Sequence, residues 1–454
     1  MSFKKLLPIL FVMLSFGAKA NYMLVQNVTK VGNNPTNKTI QIQFDLSWQN
    51  SWRDAINWDA AWIFIKFKDA NGLWQHARLN LAGYSNGAGT TNIIKVASDS
   101  VGAFVYRSAL GSGNFNATSM QIQWNYGSSG LNDVSALEVR VFATEMVYVP
   151  EGDFNCAKVF TKNRSNFFLS SYGVFEAPPV SNYIGNGALS TTSNFPVINS
   201  RLSPSFYYYD SNYVTIRIKG DAGIDTNNDG IIDNTTYPTG YKAFYCYKYE
   251  MSEQQYADFL NTLTPSQITF LGVAGTGITL NNDQYFSSTP NLACGKSNEL
   301  RLIAFADWSG LRPISFLEFN KLSYGPLKPI LSTSVACGTC YPAWGANTVS
   351  NLYDNSTTCC ALINVGYYAT SSTDRVGSGA SYYGIMELTG NAKEPITKLD
   401  FFNFSSINGD GNLDSSGNSN VTNWSTSMIS FIDQDDNYRG NANYQGFRYV
   451  RSAE

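Results

Sequence analysis

The stretch Phe244-Tyr-Cys-Tyr-Lys-Tyr-Glu-Met-Ser-Glu-Gln-Gln-Tyr-Ala-Asp-Phe-Leu260 decides the fold class of the second part of the chain. Ser252 is followed three residues later by Gln255, which is the spacing of a capping box at a helix N-terminus. An apolar stripe at helical spacing follows, formed by Tyr256, Phe259, Leu260 and Leu263. Because strand-like segments flank this helix, we predict a mixed α+β fold.

Two further helices are predicted in the same part. One runs from about Asn298 to Ser309 and stops at Gly310, a residue suited to a helix C-terminus. The other begins at Ser315, which forms a second capping box with Glu318. Long loops are expected at 264–297, 331–382 and 400–440, and loops of that length are usually functional or held by ions and disulfides.

Residues 21–145 have the pattern of an all-β sandwich domain. Segment 61–68 alternates apolar and polar positions, and so do three other segments. The apolar positions of those three are Ile40, Ile42, Phe44, Leu46 and Trp48, then Met120, Ile122, Trp124 and Tyr126, then Leu137, Val139 and Val141. Each of the four predicts a strand with one buried face.

Five tryptophans crowd this first part: Trp48, Trp52, Trp58, Trp62 and Trp74. They suit either an aromatic platform for sugars or ordinary core packing. His76 is the only histidine of the chain. A single histidine cannot build a multi-histidine metal site, and we find no Ser-His-Asp hydrolase set that can be assembled around His76.

The N-terminus predicts export. Lys4 and Lys5 precede a short apolar stretch at 6–16, and Ala18-Lys19-Ala20 fits a signal-peptide cleavage site. We expect residues 1–20 to be removed and the protein to be secreted, periplasmic or on the cell surface. No later stretch reaches 18 apolar residues, so no transmembrane segment is predicted. A net charge of -3 without a basic cluster excludes a nucleic-acid partner.

Five segments in order resemble one known family. They are Met146-Val-Tyr-Val-Pro-Glu-Gly-Asp-Phe154, Phe244–Tyr256, Ala306-Asp-Trp-Ser-Gly-Leu-Arg-Pro-Ile-Ser-Phe-Leu-Glu318, Tyr383-Gly-Ile-Met-Glu-Leu-Thr-Gly-Asn391 and Gly446-Phe-Arg-Tyr-Val-Arg-Ser452. Together they are similar to the formylglycine-generating-enzyme, or sulfatase-modifying-factor, family. The resemblance implies a C-type-lectin-like domain over residues 146–454, preceded by the sandwich at 21–145.

The resemblance does not extend to the family's chemistry. The family's oxidase holds copper(I) with two cysteines that follow the Gly-Asn motif, but no cysteine follows Gly390-Asn391 here. Related sulfoxide synthases need several histidines for iron. We therefore expect no catalytic residues, no copper and no iron. Thiols from Cys337 or Cys360 reaching the pocket by another route would instead give a rearranged copper oxidase.

Calcium is the metal that the resemblance does imply. The family's turn around Gly-Asn wraps a structural calcium, and carried over it gives Glu387, Gly390, Ala392 and Glu394 as ligands. A plain turn is the alternative, and Lys393 is a departure from the family's pattern.

A second oxygen-rich loop is read from the residues themselves. Asp225, Asn227, Asp229 and Asp233 stand at positions 1, 3, 5 and 9 of a calcium-loop pattern, with Gly230 at position 6. Position 12 is Thr236, so the bidentate glutamate of a complete calcium loop is missing. A solvated turn without calcium is the alternative interpretation. Segment 410–414 is a shorter and weaker candidate.

Seven cysteines, all from Cys156 onward, suit an oxidising compartment. Cys337 or Cys340 bridging to Cys359 or Cys360 is one interpretation, and zinc held by four thiolates is the other. We expect at least one unpaired thiol, because the count is odd. The chain is thus predicted to be a non-catalytic binding or structural protein with an envelope protein or a glycan as partner; a carbohydrate-binding adhesin and a rearranged oxidase are the alternatives.

Overall fold

The structure is a computed structural model. It describes residues 23–155, 234–326, 362–370, 372–375, 378–388, 391–397, 403–432 and 445–453, with the backbone of three short strands at 197–198, 208–209 and 215–216. The predicted signal segment at 1–20 lies outside these ranges. Strands and helices are both present, which confirms the mixed α+β class.

The strands are numbered in chain order. They are β1 (Leu24–Asn34), β2 (Thr39–Arg53), β3 (Asp59–Lys68), β4 (Trp74–His76), β5 (Ala88–Gly89), β6 (Asn92–Val96), β7 (Ala103–Arg107), β8 (Gly111–Asn125), β9 (Val139–Val149), β10 (Phe154–Asn155), β11 (Val197–Ile198), β12 (Tyr208–Tyr209), β13 (Thr215–Ile216), β14 (Phe244–Tyr247), β15 (Ile278–Asn281), β16 (Gln284–Ser287), β17 (Ile314–Ser315), β18 (Glu394–Thr397), β19 (Ile429–Ile432) and β20 (Val450–Ser452). The helices are α1 (Glu253–Leu260), α2 (Pro265–Leu271), α3 (Glu299–Trp308) and α4 (Phe316–Tyr324), and a 3-10 turn covers Thr426–Met428.

Two antiparallel sheets enclose the first core. A four-stranded sheet has the order β1-β2-β8-β5, and a seven-stranded sheet has the order β20-β14-β9-β3-β7-β6, with β4 paired to β3. The predicted alternation in β2 and β8 is confirmed, because Ile42, Phe44, Ile122 and Trp124 are all buried between the sheets.

Strand β3 differs from the prediction, since it is buried on both faces. Ala61, Ile63 and Ile65 face the core between the sheets, whereas Trp62 and Phe64 face a second core. That second core is covered by α1, α3 and α4. Neither face of β3 is therefore exposed to solvent, and both carry apolar side chains.

The seven-stranded sheet joins the two predicted parts. Strand β9 contains both residues 145 and 146, and it pairs with β3 on one side and β14 on the other. The side chain of Trp62 extends this contact by donating from Nε1 to the carbonyl of Ser309 at 2.9 Å. The predicted boundary at 145/146 therefore lies inside a strand of the sheet that separates the two cores.

The helix predictions are confirmed at their caps. Ser252 and Ser315 each form the predicted capping box, and Gly310 follows α3 with a φ of +70°. Region 264–297, predicted as loop, contains α2 and the β15–β16 hairpin. The missed signal was a third capping box, formed by Thr264 and Gln267 with a proline at the first helical position.

Among the described residues, we find no helix that is both long and apolar enough to cross a membrane.

Candidate functional site

The turn predicted to hold calcium adopts an unusual backbone. Glu387 and Asn391 both have a φ of +63°, a left-handed conformation that non-glycine residues rarely adopt. Such a residue costs about 1–3 kcal/mol and persists only where the surroundings enforce it. Gly390 itself lies outside the described residues, whereas Glu387, Ala392 and Glu394 are described and buried.

Arg448 occupies the centre of this turn. Its guanidinium is completely buried and contacts Glu394 Oε1 at 3.2 Å. It also donates to the carbonyls of Tyr247 at 3.1 Å, Met386 at 2.9 Å and Glu387 at 3.2 Å. A planar guanidinium with several donors is well suited to bind converging oxygens in this way.

Glu250 completes the network, and sequence reasoning did not assign it a role. Its carboxylate accepts from the backbone amide of Ala392 at 2.8 Å and from the side-chain amide of Asn391. Its own backbone amide donates to Glu387 Oε2 at 3.3 Å. Through these contacts Glu250, which lies between β14 and α1, holds the 387–394 turn.

Glu387 fixes a neighbouring loop. Its Oε1 accepts from the backbone amide of Gly366 at 2.5 Å, while Asn391 Oδ1 accepts from the amide of Ile363 at 2.9 Å. The side chains of both left-handed residues of the turn thus bind segment 362–370. Their backbone strain is explained by this double anchoring.

Burial and mutual repulsion control the charges of the cluster. Burial, together with the charges of Glu394 and Glu387, raises the pKa of Glu250 well above its usual value. Burial also raises the pKa of Glu387 to about 7. For Arg448, burial acts to lower the pKa, but Glu394 and the other nearby acidic groups outweigh it and raise the pKa. The guanidinium is therefore the fixed charge of the site.

The described members of the predicted ligand set have partners within the protein. Glu394 faces a guanidinium, and both oxygens of Glu387 accept backbone amides. In the ranges that the structure describes, no three His, Cys, Asp or Glu side chains are placed to hold a metal ion. Arg448 is the positively charged side chain that the described part of this turn contacts. The second predicted calcium site, formed by Asp225, Asn227, Asp229 and Asp233, lies outside the described residues.

The weaker oxygen-rich segment, 410–414, also contacts a buried amine of the chain. Lys66 is buried and donates to the carbonyl of Gly411. Asp307 binds the same loop by accepting from the amides of Asp410 and Asn420, each at 2.9 Å. Here a lysine from β3 and an aspartate from α3 organise the turn.

The described thiols are not suited to copper chemistry. Cys246 and Cys294 are unpaired and buried, and burial raises the pKa of Cys246 to about 12 and that of Cys294 well above its usual value. The protonated thiol is neither a good nucleophile nor a good metal ligand. The disulfide candidates Cys337, Cys340, Cys359 and Cys360 lie outside the described residues.

The tryptophans predicted as a possible sugar platform all have packing partners. Trp48 and Trp62 are core residues, and Trp52 packs against Gly384. Trp58 stacks on Tyr148 with ring centroids 4.1 Å apart and carries the Arg53 guanidinium 4.4 Å from its own centroid. A guanidinium lies equally close to Trp74. Core packing accounts for Trp48 and Trp62, whereas Trp52, Trp58 and Trp74 are half-buried.

No family model matches this chain, and no curated protein matches it either.

Proposed function

We propose that this chain is an exported, non-catalytic binding or structural protein whose residues 146–454 form a C-type-lectin-like domain of the formylglycine-generating-enzyme type. Three of the five resembling segments support the assignment by their placement. Segment 146–154 contains the end of β9, and segments 244–256 and 446–452 contain β14 and β20. These three strands are neighbours in one sheet.

One observation carries the non-catalytic part of the proposal. The two thiols that the structure describes are buried and protonated, and the polar residues of the Gly-Asn turn bind one another through Arg448. An oxidase of this type needs accessible thiolates beside a pocket. The motif residues are used here to build the protein.

Copper(I) affinity tests the proposal against the rearranged oxidase. Copper(I) is titrated into the folded chain in competition with a chromophoric chelator, using the unmodified chain, Cys337→Ser and Cys360→Ser. We expect the three curves to superimpose. Tight binding that disappears in either variant would overturn the proposal and favour the oxidase.

The binding partner is proposed by class only. The predicted signal segment places the mature protein outside the cytoplasm, where an envelope protein or a glycan is the available partner. Structural calcium is kept in the proposal only for the loop containing Asp225 and Asp229, since at the Gly-Asn turn Arg448 already supplies the cation.

A further inference from the structure

A second buried cluster of charged residues lies where the three neighbouring strands β3, β9 and β14 meet. Asp59 begins β3, Glu145 is in β9, and Lys248 follows β14 directly. Lys248 Nζ is 2.6 Å from Glu145 Oε1 and 3.7 Å from Asp59 Oδ2. All three side chains are at least 94% buried, so this cluster has almost no contact with solvent.

The cluster contains one more carboxyl group than a simple ion pair needs. Glu145 Oε2 is buried without a hydrogen-bond partner in the structure. Burial raises the pKa of Glu145 to about 8, against the opposing effect of Lys248 and with a further contribution from Asp59. Glu145 lies between the Lys248 amine and the Asp59 carboxyl group, so it is placed to carry protons between them.

Asp59 is surrounded by neutral donors aimed at its carboxyl oxygens. Trp48 Nε1 donates to Oδ2, while Ser51 Oγ and the backbone amide of Trp52 both donate to Oδ1, each at 3.0 Å. Fixed donors of this kind stabilise negative charge that develops on a carboxyl oxygen during nucleophilic attack at its carbon. A salt bridge to lysine alone would not require three of them.

Burial also changes which products are favoured. In water, an ammonium and a carboxylate are well solvated, which opposes their condensation to an amide. In this site both ions have lost their water, and buried ion pairs of this kind are costly. Converting the pair to a neutral amide removes that cost and releases a water molecule.

We propose that Lys248 and Asp59 join through an intramolecular amide bond, formed by the folded chain itself with Glu145 as the catalytic proton carrier. One proton moves from the Lys248 ammonium to the Asp59 carboxylate, and the free Nζ electron pair attacks Cγ of Asp59, forming the C–N bond. Glu145 then carries a second proton from Nζ to the Asp59 hydroxyl oxygen. The C–O bond breaks, and that oxygen leaves with both protons as water. No oxidant, reductant or cofactor takes part, and Glu145 ends in its starting state.

The geometry supports this step by holding the reacting groups together. Nucleophile and carboxyl group are fixed on two strands that flank the strand of Glu145, and effective concentrations in such arrangements reach roughly 10⁵–10⁸ M. The bond would tie the first part of the chain to the second at the centre of the shared sheet. This inference does not depend on the proposed non-catalytic function.

Intact-mass measurement of the unmodified mature chain under reducing conditions tests the bond directly. We expect a mass lower than that of the sequence by one water molecule. After proteolysis we also expect one branched peptide that joins the segments containing Asp59 and Lys248. A cooperatively folded chain with its full mass and no branched peptide would overturn the proposal and leave a buried ion cluster.

Single-residue variants test which side chains form the bond and which one carries the proton. Lys248→Arg is expected to have its full mass, while the exposed control Lys38→Arg should lose water like the unmodified chain. A water loss that persists in Lys248→Arg would show dehydration elsewhere and contradict the bond. Glu145→Gln should retain its full mass, and complete bond formation in that variant would refute the role of Glu145. The mass of the unmodified chain tests whether the bond forms even where a variant does not fold.

Discussion

At the scale of single residues, the chain uses its own cations where the sequence suggested metal. Arg448 binds the Gly-Asn turn and Lys66 binds the 410–414 loop. Both are buried and hydrogen-bonded to backbone carbonyls. Carbonyl- and carboxylate-rich turns attract a cation of some kind, and these sequence patterns do not specify whether it is an ion or a side chain.

Removing the guanidinium should be costly. Arg448→Met removes the buried guanidinium that contacts Glu394 and the carbonyls of the turn, so we expect a loss of roughly 3–5 kcal/mol in the free energy of unfolding. Chemical denaturation measures the loss. Arg140→Met is the matched control, because the Arg140–Glu138 pair is partly exposed and should contribute less than about 1 kcal/mol. Equal losses in both variants would contradict the account.

His76 should make stability fall at acid pH. Burial, and then the positive charge of Lys66, lowers the pKa of His76 well below 6.5. Below pH 6.5 the unfolded chain takes up a proton that the folded chain refuses, so stability falls by about 1.4 kcal/mol per pH unit until the folded pKa is reached. His76→Gln should remove that slope from the difference between denaturation curves at pH 7.5 and 5.5. An unchanged slope would argue against a buried neutral imidazole.

At the scale of elements, Glu253 links α1 to the β15–β16 hairpin. Its carboxylate accepts from the amides of Thr276 and Gly277 and from the hydroxyls of Ser287 and Thr289. Glu253→Gln turns part of this acceptor into a donor. We expect faster amide hydrogen exchange at 276–289 and a loss of about 1.5–3 kcal/mol. Glu299→Gln, in the first turn of α3, is the control and should leave exchange at 276–289 unchanged.

The effect of calcium on stability should distinguish the two predicted calcium loops. If calcium binds at the loop around Asp225, Asp229→Asn should reduce any rise in unfolding midpoint that calcium produces over chelator, because a ligand of the native state stabilises it. Glu394→Gln should lower stability equally with calcium and with chelator. A calcium response lost in Glu394→Gln but kept in Asp229→Asn would contradict the role given to Arg448.

At the scale of the whole molecule, the shared sheet makes the two parts interdependent. Strand β9 pairs with β3 through nine residue pairs, from Asp59–Val147 to Phe67–Val139. A fragment of residues 146–454 would lose β3 and half of β9, and Trp62 would leave the second core. We expect no cooperative unfolding transition for that fragment by near-ultraviolet circular dichroism. A native-like transition would restore the boundary at 145/146.

The sequence predicted local features well and long-range ones poorly. Capping boxes at Ser252 and Ser315 and the alternation in β2 depend on neighbouring residues, and all were found. The continuity of the sheet through β9 depends on pairing with residues about 80 and 100 positions away, which no local pattern reveals. For the same reason the roles of Glu250 and Arg448 could not be read from spacing, since both bind the distant segment 386–394.

The central claim is that the family resemblance extends to the scaffold and not to the chemistry. The most direct measurement incubates the full mature chain with copper(I), oxygen and a cysteine-containing sulfatase peptide, and follows the peptide by mass spectrometry. A copper-loaded formylglycine-generating enzyme is the positive control. The account predicts that the peptide cysteine stays unconverted with this chain. Formylglycine in the peptide, formed in proportion to the amount of chain added, would contradict it.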